Sequence, residues 1–296
     1  MDDQEVAHRF PRSSTYAPDW ISENGFGGNA LWQTEWLCER LDLRPGMRVL
    51  DLGCDRAKSS VFLAREFGVE VWATELWVSP SENYERIRDA ELIGRVFPLR
   101  ADAHKLPYAE KFFDVITAHD CYSYYGTDDL YLNYLVQFVK PCGQIGIAGA
   151  GLAQEISPPL PAHLEPIWSQ DFWCLHSAGW WRHHWSRTGL VDVELADNMP
   201  DASEVWTHWQ RQNSPENTIE IEAVEHDAGR HLTYIRMIAC RRAGIQLQPY
   251  CWPDGSFSLP HAYERNGDRH DGCQSFGPRK SCRQALATLS NCTVVE

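Results

Sequence analysis

The sequence lacks the features of an exported or membrane-embedded chain. Its first ten residues, MDDQEVAHRF, contain no basic segment followed by an apolar core, which a secretory signal would require. No apolar run approaches the length of a membrane-spanning helix. We therefore expect a soluble, cytoplasmic protein without a membrane partner.

Paired metal-binding or disulfide-forming motifs are also missing. The ten cysteines form no C-x-x-C pair, and His183, His184, His261 and His270 do not follow a zinc-like spacing. In a chain without a signal, such cysteines are expected to be reduced thiols. The sequence therefore predicts neither a disulfide framework nor a metal site.

Positive charge is scarce. The chain has 27 Lys and Arg against 41 Asp and Glu, which gives a formal net charge of −14. Binding to phosphate backbones depends on clustered Lys and Arg, so a general affinity for nucleic acid is not expected. A neutral or cationic small molecule fits this charge better, and a homodimer is left open.

Apolar runs alternate with helical patterns in the first half of the chain. Helices are expected over 58–68, 79–93 and 128–143, between strands at 47–53, 69–76, 95–102, 112–120 and 144–152. This alternation predicts an α/β fold with a doubly wound, mostly parallel sheet.

The flanking regions differ in composition from this core. We expect one domain over 1–244, made of N-terminal lid helices (15–45), a core (46–152) and a Trp-rich helical insertion with the last strands (153–244). Residues 245–296 are rich in Gly, Pro, Ser and Asn without any period. They predict a poorly ordered tail.

Acidic residues stand at the ends of four predicted strands, namely Asp51, Glu75, Asp102 and the pair His119-Asp120. Ligands of open parallel sheets bind beyond the carboxyl ends of the strands. A carboxylate at Glu75 can accept hydrogen bonds from ribose hydroxyls, Asp102 from an adenine amine, and Asp51 from an ammonium group. The dinucleotide fingerprint G-x-G-x-x-G is absent, so NAD is not favoured.

Several stretches resemble class I S-adenosylmethionine-dependent methyltransferases of the type 11 small-molecule group. They are GMRVLDLGC, VEVWATEL, RADAHKLPYAEKFFDVITAHD and VKPCGQIGIA, and the likeness extends over roughly residues 15–240. The resemblance implies a Rossmann-like fold, S-adenosyl-L-methionine as cofactor, and methyl transfer to a small-molecule acceptor.

The resemblance also implies roles for individual residues. Asp51 and Gly53 would lie against the methionine part, Glu75 would bind the ribose, and the loop ENGFGG, with Gly27, would fold over the cofactor. The complete cofactor-binding set is Tyr16, Gly28, Asp51, Gly53, Cys54, Glu75, Leu76, Asp102, Ala103 and His119.

The sequence also offers candidates for the acceptor side. His119, Asp120 and His176 are the candidates for proton handling, because imidazole and carboxylate groups exchange protons near neutral pH. Tyr122, Trp180 and Trp181 are the candidates for an aromatic acceptor wall. The alternative is that the many Trp residues between 168 and 209 simply form a core.

One segment departs from the family pattern. Asp55-Arg56-Ala57 stands where the family usually has G-x-G or G-x-A, so Ala57 is a mild change, whereas Asp55 replaces a glycine that allows positive φ and close backbone approach. We expect the turn to survive with local strain of about 1 kcal/mol, and cofactor binding to be weakened. Asp55 also keeps open a catalytically impaired, cofactor-binding scaffold subunit, or a different chemistry on the same fold.

Overall fold

A seven-stranded sheet with helices on both faces organises the described part of the chain. The computed structural model describes residues 1–23, 29–247 and the backbone of 250–251 and 257–258. The strands are β1 (Arg48–Leu52), β2 (Glu70–Glu75), β3 (Val96–Arg100), β4 (Phe113–His119), β5 (Val139–Leu152), β6 (Val191–Asn198), β7 (Leu232–Arg241), and the small pair β8 (Tyr250–Cys251) and β9 (Phe257–Ser258).

The helices alternate with these strands through most of the chain. They are α1 (Asp3–Arg9), α2 (Pro18–Glu23), α3 (Ala30–Cys38), α4 (Lys58–Phe67), α5 (Pro80–Asp89), α6 (Ser123–Gly126), α7 (Tyr131–Leu135), α8 (Gln170–Trp173), α9 (Ala178–Ser186), α10 (Ala202–Asn213) and α11 (Thr218–Asp227). None of the helices described for this chain is both long and apolar enough to cross a membrane.

The strand order is β3-β2-β1-β4-β5-β7-β6. Strands β1 to β5 run parallel, and β7 runs antiparallel to both of its neighbours. This confirms the predicted doubly wound, mostly parallel sheet. The order brings the carboxyl ends of β3, β2, β1 and β4 to consecutive positions on one edge, where ligands bind in folds of this type.

Apolar side chains fill both faces of the sheet. Along β1, Val49 packs in one hydrophobic cluster and Leu50 in the other, because successive side chains of a strand point to opposite faces. Both residues are completely buried. Burial on both faces explains why the parallel strands read as continuous apolar runs instead of alternating patterns.

Helix α3 belongs to the core layer, which corrects the expectation of a lid over that part of 15–45. Its residues from Leu31 to Cys38 are all buried. A Cβ on Gly146 of β5 would lie 3.1 Å from Leu41 and 3.3 Å from Leu37, so glycine lets the helical segment pack closely on the sheet.

The helix predicted over 128–143 is too long. Helix α7 ends at Leu135, a 3₁₀ turn follows over Val136–Phe138, and β5 begins at Val139. Val139 pairs with Phe113, and the register then shifts so that Val115 pairs with Gln144. Pro141 lies within this irregular stretch, where its missing N–H breaks no ladder bond.

The Trp-rich region contributes core packing. Trp181 and Trp185 of α9 are 1% and 0% exposed and pack in the cluster on one face of the sheet. The last strands expected within 153–244 are β6 and β7. The predicted tail over 245–296 lies outside the described residues, except for 245–247, β8 and β9.

Candidate active site

The loop between β1 and α4 adopts a backbone that usually requires glycine. Gly53, Asp55 and Ala57 have φ values of +76°, +49° and +59°. The N–H groups of Gly53 and Cys54 donate to the carbonyl of Thr74 at 2.8 and 3.1 Å, which ties the loop to β2. Helix α4 begins directly after Ala57. The predicted turn is therefore formed, although two of its three left-handed residues carry side chains.

Gly53 is the position where only glycine fits. A Cβ there would lie 2.5 Å from the Sγ of Cys121, in addition to the strain of a positive φ. The Cys121 thiol donates to the carbonyl of Leu52 at 3.2 Å, so it lies directly against the loop. The residues that follow β4 thus pack directly against the loop between β1 and α4.

Asp51 is fully buried and fastens α4 to β1. Its Oδ2 accepts hydrogen bonds from the hydroxyls of Ser59 and Ser60, both at 2.6 Å. Its Oδ1 lies 3.8 Å from Nε2 of His119 and has no hydrogen-bond partner among the described residues. One carboxylate oxygen thus accepts hydrogen bonds that join α4 to β1, while the other can accept a hydrogen bond from a ligand.

His119 faces this second oxygen from the end of β4. Its side chain is 2% exposed, and neither ring nitrogen has a partner within the described residues. Burial lowers the pKa of His119, and the charge of Asp51 only partly opposes that effect. The imidazole is therefore neutral at pH 7. Unpaired buried polar atoms are costly, so this pair fits a ligand that brings donors and acceptors.

Glu75 connects the ends of β1 and β2. Its Oε2 accepts the N–H of Asp55 at 2.9 Å, and its Oε1 accepts the N–H of Trp77 at 2.8 Å. The residue is 7% exposed. A carboxylate oxygen has a second lone pair, so each can also accept a hydroxyl from a ligand. Glu75 thus orients the loop and remains available to a ribose.

Asp55 is held through its backbone on both sides. Besides the bond from its N–H to Glu75, its carbonyl accepts a hydrogen bond from Nδ2 of Asn83 at 2.8 Å. Asn83 belongs to α5 and is 1% exposed. These contacts stabilise the left-handed conformation that an aspartate adopts less readily than glycine.

Asp102 and Ala103 follow β3, next to Glu75. The N–H of Ala101 donates to the Glu75 carbonyl at 3.0 Å, and the carbonyl of Ala103 accepts the hydroxyl of Tyr131 at 3.1 Å. Burial raises the pKa of Asp102, but hydrogen bonds from the backbone and ring of His104 outweigh it, so the net pKa is lowered. An ionised carboxylate that can accept hydrogen bonds thus lies just after β3.

The acceptor side lies beyond β4 and β5. Asp120 has a φ of +55°, and its Oδ1 accepts the N–H of Ala150 at 2.9 Å. His176 lies where the chain returns to the end of β5, because its carbonyl accepts the N–H of Leu152 at 3.1 Å. Asp120 and His176, two of the three residues predicted for proton handling, therefore lie at the edge that carries the strand-end acids.

His176 is oriented by two neighbours. Its Nδ1 lies 3.0 Å from Oε2 of Glu155, and its ring stacks on Trp180 with centroids 3.7 Å apart. Burial raises the pKa of Glu155, but hydrogen bonds from Ser177 and His176 lower it by more, so the carboxyl stays ionised. A carboxylate that holds an imidazole is a common arrangement for proton transfer.

Comparison with known proteins indicates the family to which this part of the chain is similar. Residues 49–143, from β1 to the first residues of β5, match the family model described as a methyltransferase domain. Residues 49–143 thus carry the sequence pattern of a methyltransferase domain. The resemblance to S-adenosylmethionine-dependent methyltransferases of the type 11 group is thereby confirmed.

Relatives support the same family. The chain is 34% identical over 134 residues to Methyltransferase GfsG of Streptomyces halstedii, covering 45% of this chain and 48% of that one. It is 29% identical over 144 residues to the C-methyltransferase UbiE of Vibrio parahaemolyticus, covering 48% and 52%. The match thus spans about half the length of these curated relatives.

Solved structures share the fold. Phosphoethanolamine N-methyltransferase 2 of Haemonchus contortus, in complex with S-adenosyl-L-methionine, superposes with a TM-score of 0.61 at 19% identity. The superposition covers 82% of this chain and 60% of that one. At this identity the likeness concerns the fold of the methyltransferase domain.

Some predicted residues lie elsewhere in the methyltransferase domain. Tyr16 was expected to touch the cofactor, but its hydroxyl donates to Glu66 at 3.0 Å, in the last turn of α4 and far from the loop that precedes that helix. Gly27 and Gly28 lie outside the described residues.

Tyr122 and Trp181 also need correction. They are 3% and 1% exposed and pack against each other, with ring centroids 5.5 Å apart, within the core cluster. An acceptor wall requires accessible faces, so neither fits that role. Trp180 is only partly buried, and it lies between the rings of His176 and His184.

Lys58 is a residue that the sequence did not reveal. It opens α4, is 2% exposed, donates to the carbonyl of Ile21 at 3.3 Å and lies over the ring of Trp209. Burial lowers the pKa of Lys58 to about 8, against a smaller opposing effect of Asp55. Lys58 thus links α2 to the loop of the methyltransferase domain, a contact between segments that no local pattern signals.

Proposed function

We propose that the protein transfers a methyl group from S-adenosyl-L-methionine to a small-molecule acceptor. The observation that carries this proposal is that Asp51, Glu75 and Asp102 lie at or just after the carboxyl ends of three adjacent parallel strands. The family match over this half of the sheet supports the same activity.

The residues present fit this cofactor. The unpaired Oδ1 of Asp51 can accept the ammonium group, Glu75 the ribose hydroxyls, and Asp102 with Ala103 the adenine edge. Leu76, 37% exposed, offers an apolar face next to Glu75. When bound, the sulfonium supplies an activated methyl group and a good leaving group. The chain's residues therefore mainly orient the reactants and exclude water.

His176 is the favoured residue for removing a proton from the acceptor. Its side chain is 24% exposed, and the ionised Glu155 stabilises the imidazolium that would form. The buried His119 is sealed beside Asp51, which suits a role in cofactor binding. His176→Gln is expected to lower kcat about 100-fold, with cofactor affinity unchanged.

The scaffold alternative gains no support. It depended on Asp55 distorting the loop, and Asp55 has the left-handed φ of +49° that the loop needs.

Asp120 and the partly exposed Tyr124 add polar groups on the acceptor side. We therefore favour a neutral or cationic acceptor with some apolar surface, bound near Trp180.

Calorimetry with S-adenosylmethionine and S-adenosylhomocysteine tests the cofactor assignment. Both are expected to bind with one site per chain, and Glu75→Gln is expected to weaken both at least about tenfold, through lost charge-assisted hydrogen bonds. Glu70→Gln, at the other end of β2, is the matched control. If neither compound binds the folded wild type, the proposal is wrong.

A second assay separates enzyme from scaffold. A panel of amine, hydroxyl, thiol and activated-carbon acceptors is incubated with the cofactor, and S-adenosylhomocysteine formation is measured. A methylated product supports the enzyme. Cofactor binding without any product would favour the scaffold subunit.

Three wider assignments are part of the same proposal. Residues 1–244 act as one methyltransferase domain, and the protein works in the cytoplasm without nucleic acid. The six described cysteines are free thiols, which fits a reducing compartment. Gel filtration with light scattering tests the homodimer that the sequence leaves open.

A further inference from the structure

A second cluster of metal-type ligands lies apart from the cofactor residues. It consists of His163, Asp227 and His231, whose ligand atoms all lie within 4.8 Å of one another. Asp227 ends α11, and His231 directly precedes β7. His163 comes from the segment between β5 and α8, 64 residues before Asp227. The segment after β5 and the turn between α11 and β7 therefore meet at this cluster.

The backbone fixes the orientation of the carboxylate. Asp227 is completely buried, and its Oδ2 accepts the N–H groups of His231 and Leu232, both at 2.9 Å. Its Oδ1 therefore points away from the backbone and towards the two imidazoles. Such outer hydrogen bonds to a ligating carboxylate are typical of metal sites, where they hold the ligand in place.

The two imidazoles approach the same oxygen. Nε2 of His163 lies 2.9 Å and Nδ1 of His231 lies 2.7 Å from Oδ1 of Asp227. In a tetrahedral site with bonds of about 2.0–2.1 Å, ligand atoms lie about 3.3 Å apart. The present distances to Oδ1 are about half an ångström shorter than that separation, and the two imidazole nitrogens lie within 4.8 Å of each other, so side-chain rotations would have to bring all three atoms to the tetrahedral spacing.

Two imidazole nitrogens and one carboxylate oxygen are a donor set for divalent transition metals. Zinc is commonly bound by three such ligands with a fourth position left for water. The side chains of His163 and His231 are 10% and 23% exposed, so an ion can reach the cluster. The competing arrangement without metal is two imidazole N–H groups sharing Oδ1 as their acceptor.

We propose that His163, Asp227 and His231 bind one divalent transition-metal ion, with Zn²⁺ as the best match. The ion would fasten the segment after β5 to α11 and to the start of β7. This segment continues to His176, so the metal would hold the acceptor side of the domain in place. The proposal departs from the expectation of no metal site, which rested on sequence spacing alone.

The test uses the full chain after treatment with a chelator. Calorimetry with Zn²⁺ is expected to show one ion per chain, and Co²⁺ is expected to give the intense visible bands of a four-coordinate site. Zn²⁺ should also raise the melting temperature, because it binds the native state. None of these measurements depends on S-adenosylmethionine or on turnover, so their outcome is independent of the proposed function.

Variants decide whether the bound ion lies at this cluster. His163→Gln and His231→Gln are each expected to weaken binding at least about 100-fold and to remove the visible Co²⁺ bands. His183→Gln, an exposed histidine of α9, is the matched control and should bind as the wild type. Asp227→Asn also disturbs two backbone hydrogen bonds, so the histidine variants carry the test.

Two outcomes would overturn the proposal. One is the absence of saturable binding of Zn²⁺ or Co²⁺ at one ion per chain. The other is binding that persists unchanged in both His163→Gln and His231→Gln, which would locate the ion elsewhere. Either result would leave the cluster as a hydrogen-bonded His-Asp-His group.

Discussion

We expect Glu75 both to hold the loop between β1 and α4 and to bind the ribose, and Glu75→Gln should weaken both interactions. Its carboxylate accepts the N–H groups of Asp55 and Trp77 at 2.9 and 2.8 Å and is almost completely shielded from water. Glutamine keeps one acceptor oxygen, but its NH₂ group then faces the other backbone N–H. A shielded N–H that loses its charged acceptor costs about 1–3 kcal/mol.

We therefore expect Glu75→Gln to lower the free energy of unfolding by about 2 kcal/mol. For a domain of this size, that corresponds to a decrease in Tm of about 4–8 °C. Urea denaturation followed by circular dichroism measures the first quantity, and thermal denaturation the second. Both are measured without cofactor, so that lost ligand binding does not contribute.

Glu70→Gln serves as the control, because it makes the same chemical change in the same strand at the opposite edge of the sheet. It should change stability by less than about 0.5 kcal/mol, as most substitutions away from such features do. Equal stabilities of the Glu75 and Glu70 variants would refute the role of Glu75 in holding the loop.

Three further changes probe the same region. Burial lowers the pKa of Lys58 to about 8, so the native state loses this proton before the unfolded state does, and stability rises between pH 8 and 10.5. Relative to Lys58→Met, wild type should therefore gain about 3 kcal/mol of stability between pH 7 and pH 10.5 in urea titrations, and equal pH dependences of the two proteins would contradict this. Asp55→Gly should tighten S-adenosylmethionine binding severalfold in calorimetry, and an unchanged Kd would contradict this. Its stability should stay within about 0.5 kcal/mol of wild type, because relieved strain and added unfolded-state entropy offset each other. Gly53→Ala would bring a Cβ to 2.5 Å from Cys121, whereas Gly46 has a similar φ of +80° and open space. Gly53→Ala should therefore cost about 1–3 kcal/mol more than Gly46→Ala in denaturant unfolding, and equal losses would argue against the clash.

The sheet could be predicted well because local patterns encode it. Each of the first four parallel strands is an apolar run bounded by turn residues, and the register brings the residues after these runs to one edge. The fifth strand shows the limit. Pro141 and Gly143 suggested the end of a helix, whereas they lie in an irregular stretch of β5 after Val139 pairs with Phe113.

The candidate site was only partly predictable, because side-chain partners come from distant segments. The strand-end positions of Asp51 and Glu75 followed from periodicity. The contact of Asn83 with the Asp55 carbonyl depends on how α5 packs, which no short pattern reports. The burial of Trp181 likewise depends on how α9 lies on the sheet.

The loop between β1 and α4 shows that a backbone conformation, and not glycine as such, is what the fold requires. Left-handed Asp55 and Ala57 each cost about 1–2 kcal/mol relative to a relaxed backbone. Contacts from outside the loop offset this cost. Glu75 and Asn83 hold the two sides of Asp55, and Ala57 is completely buried at the start of α4. Because the neighbouring strand and helix dictate the loop shape, the loop keeps this geometry with Asp55 and Ala57 in the left-handed positions. Counting glycines therefore underestimates how readily such a sequence forms the turn.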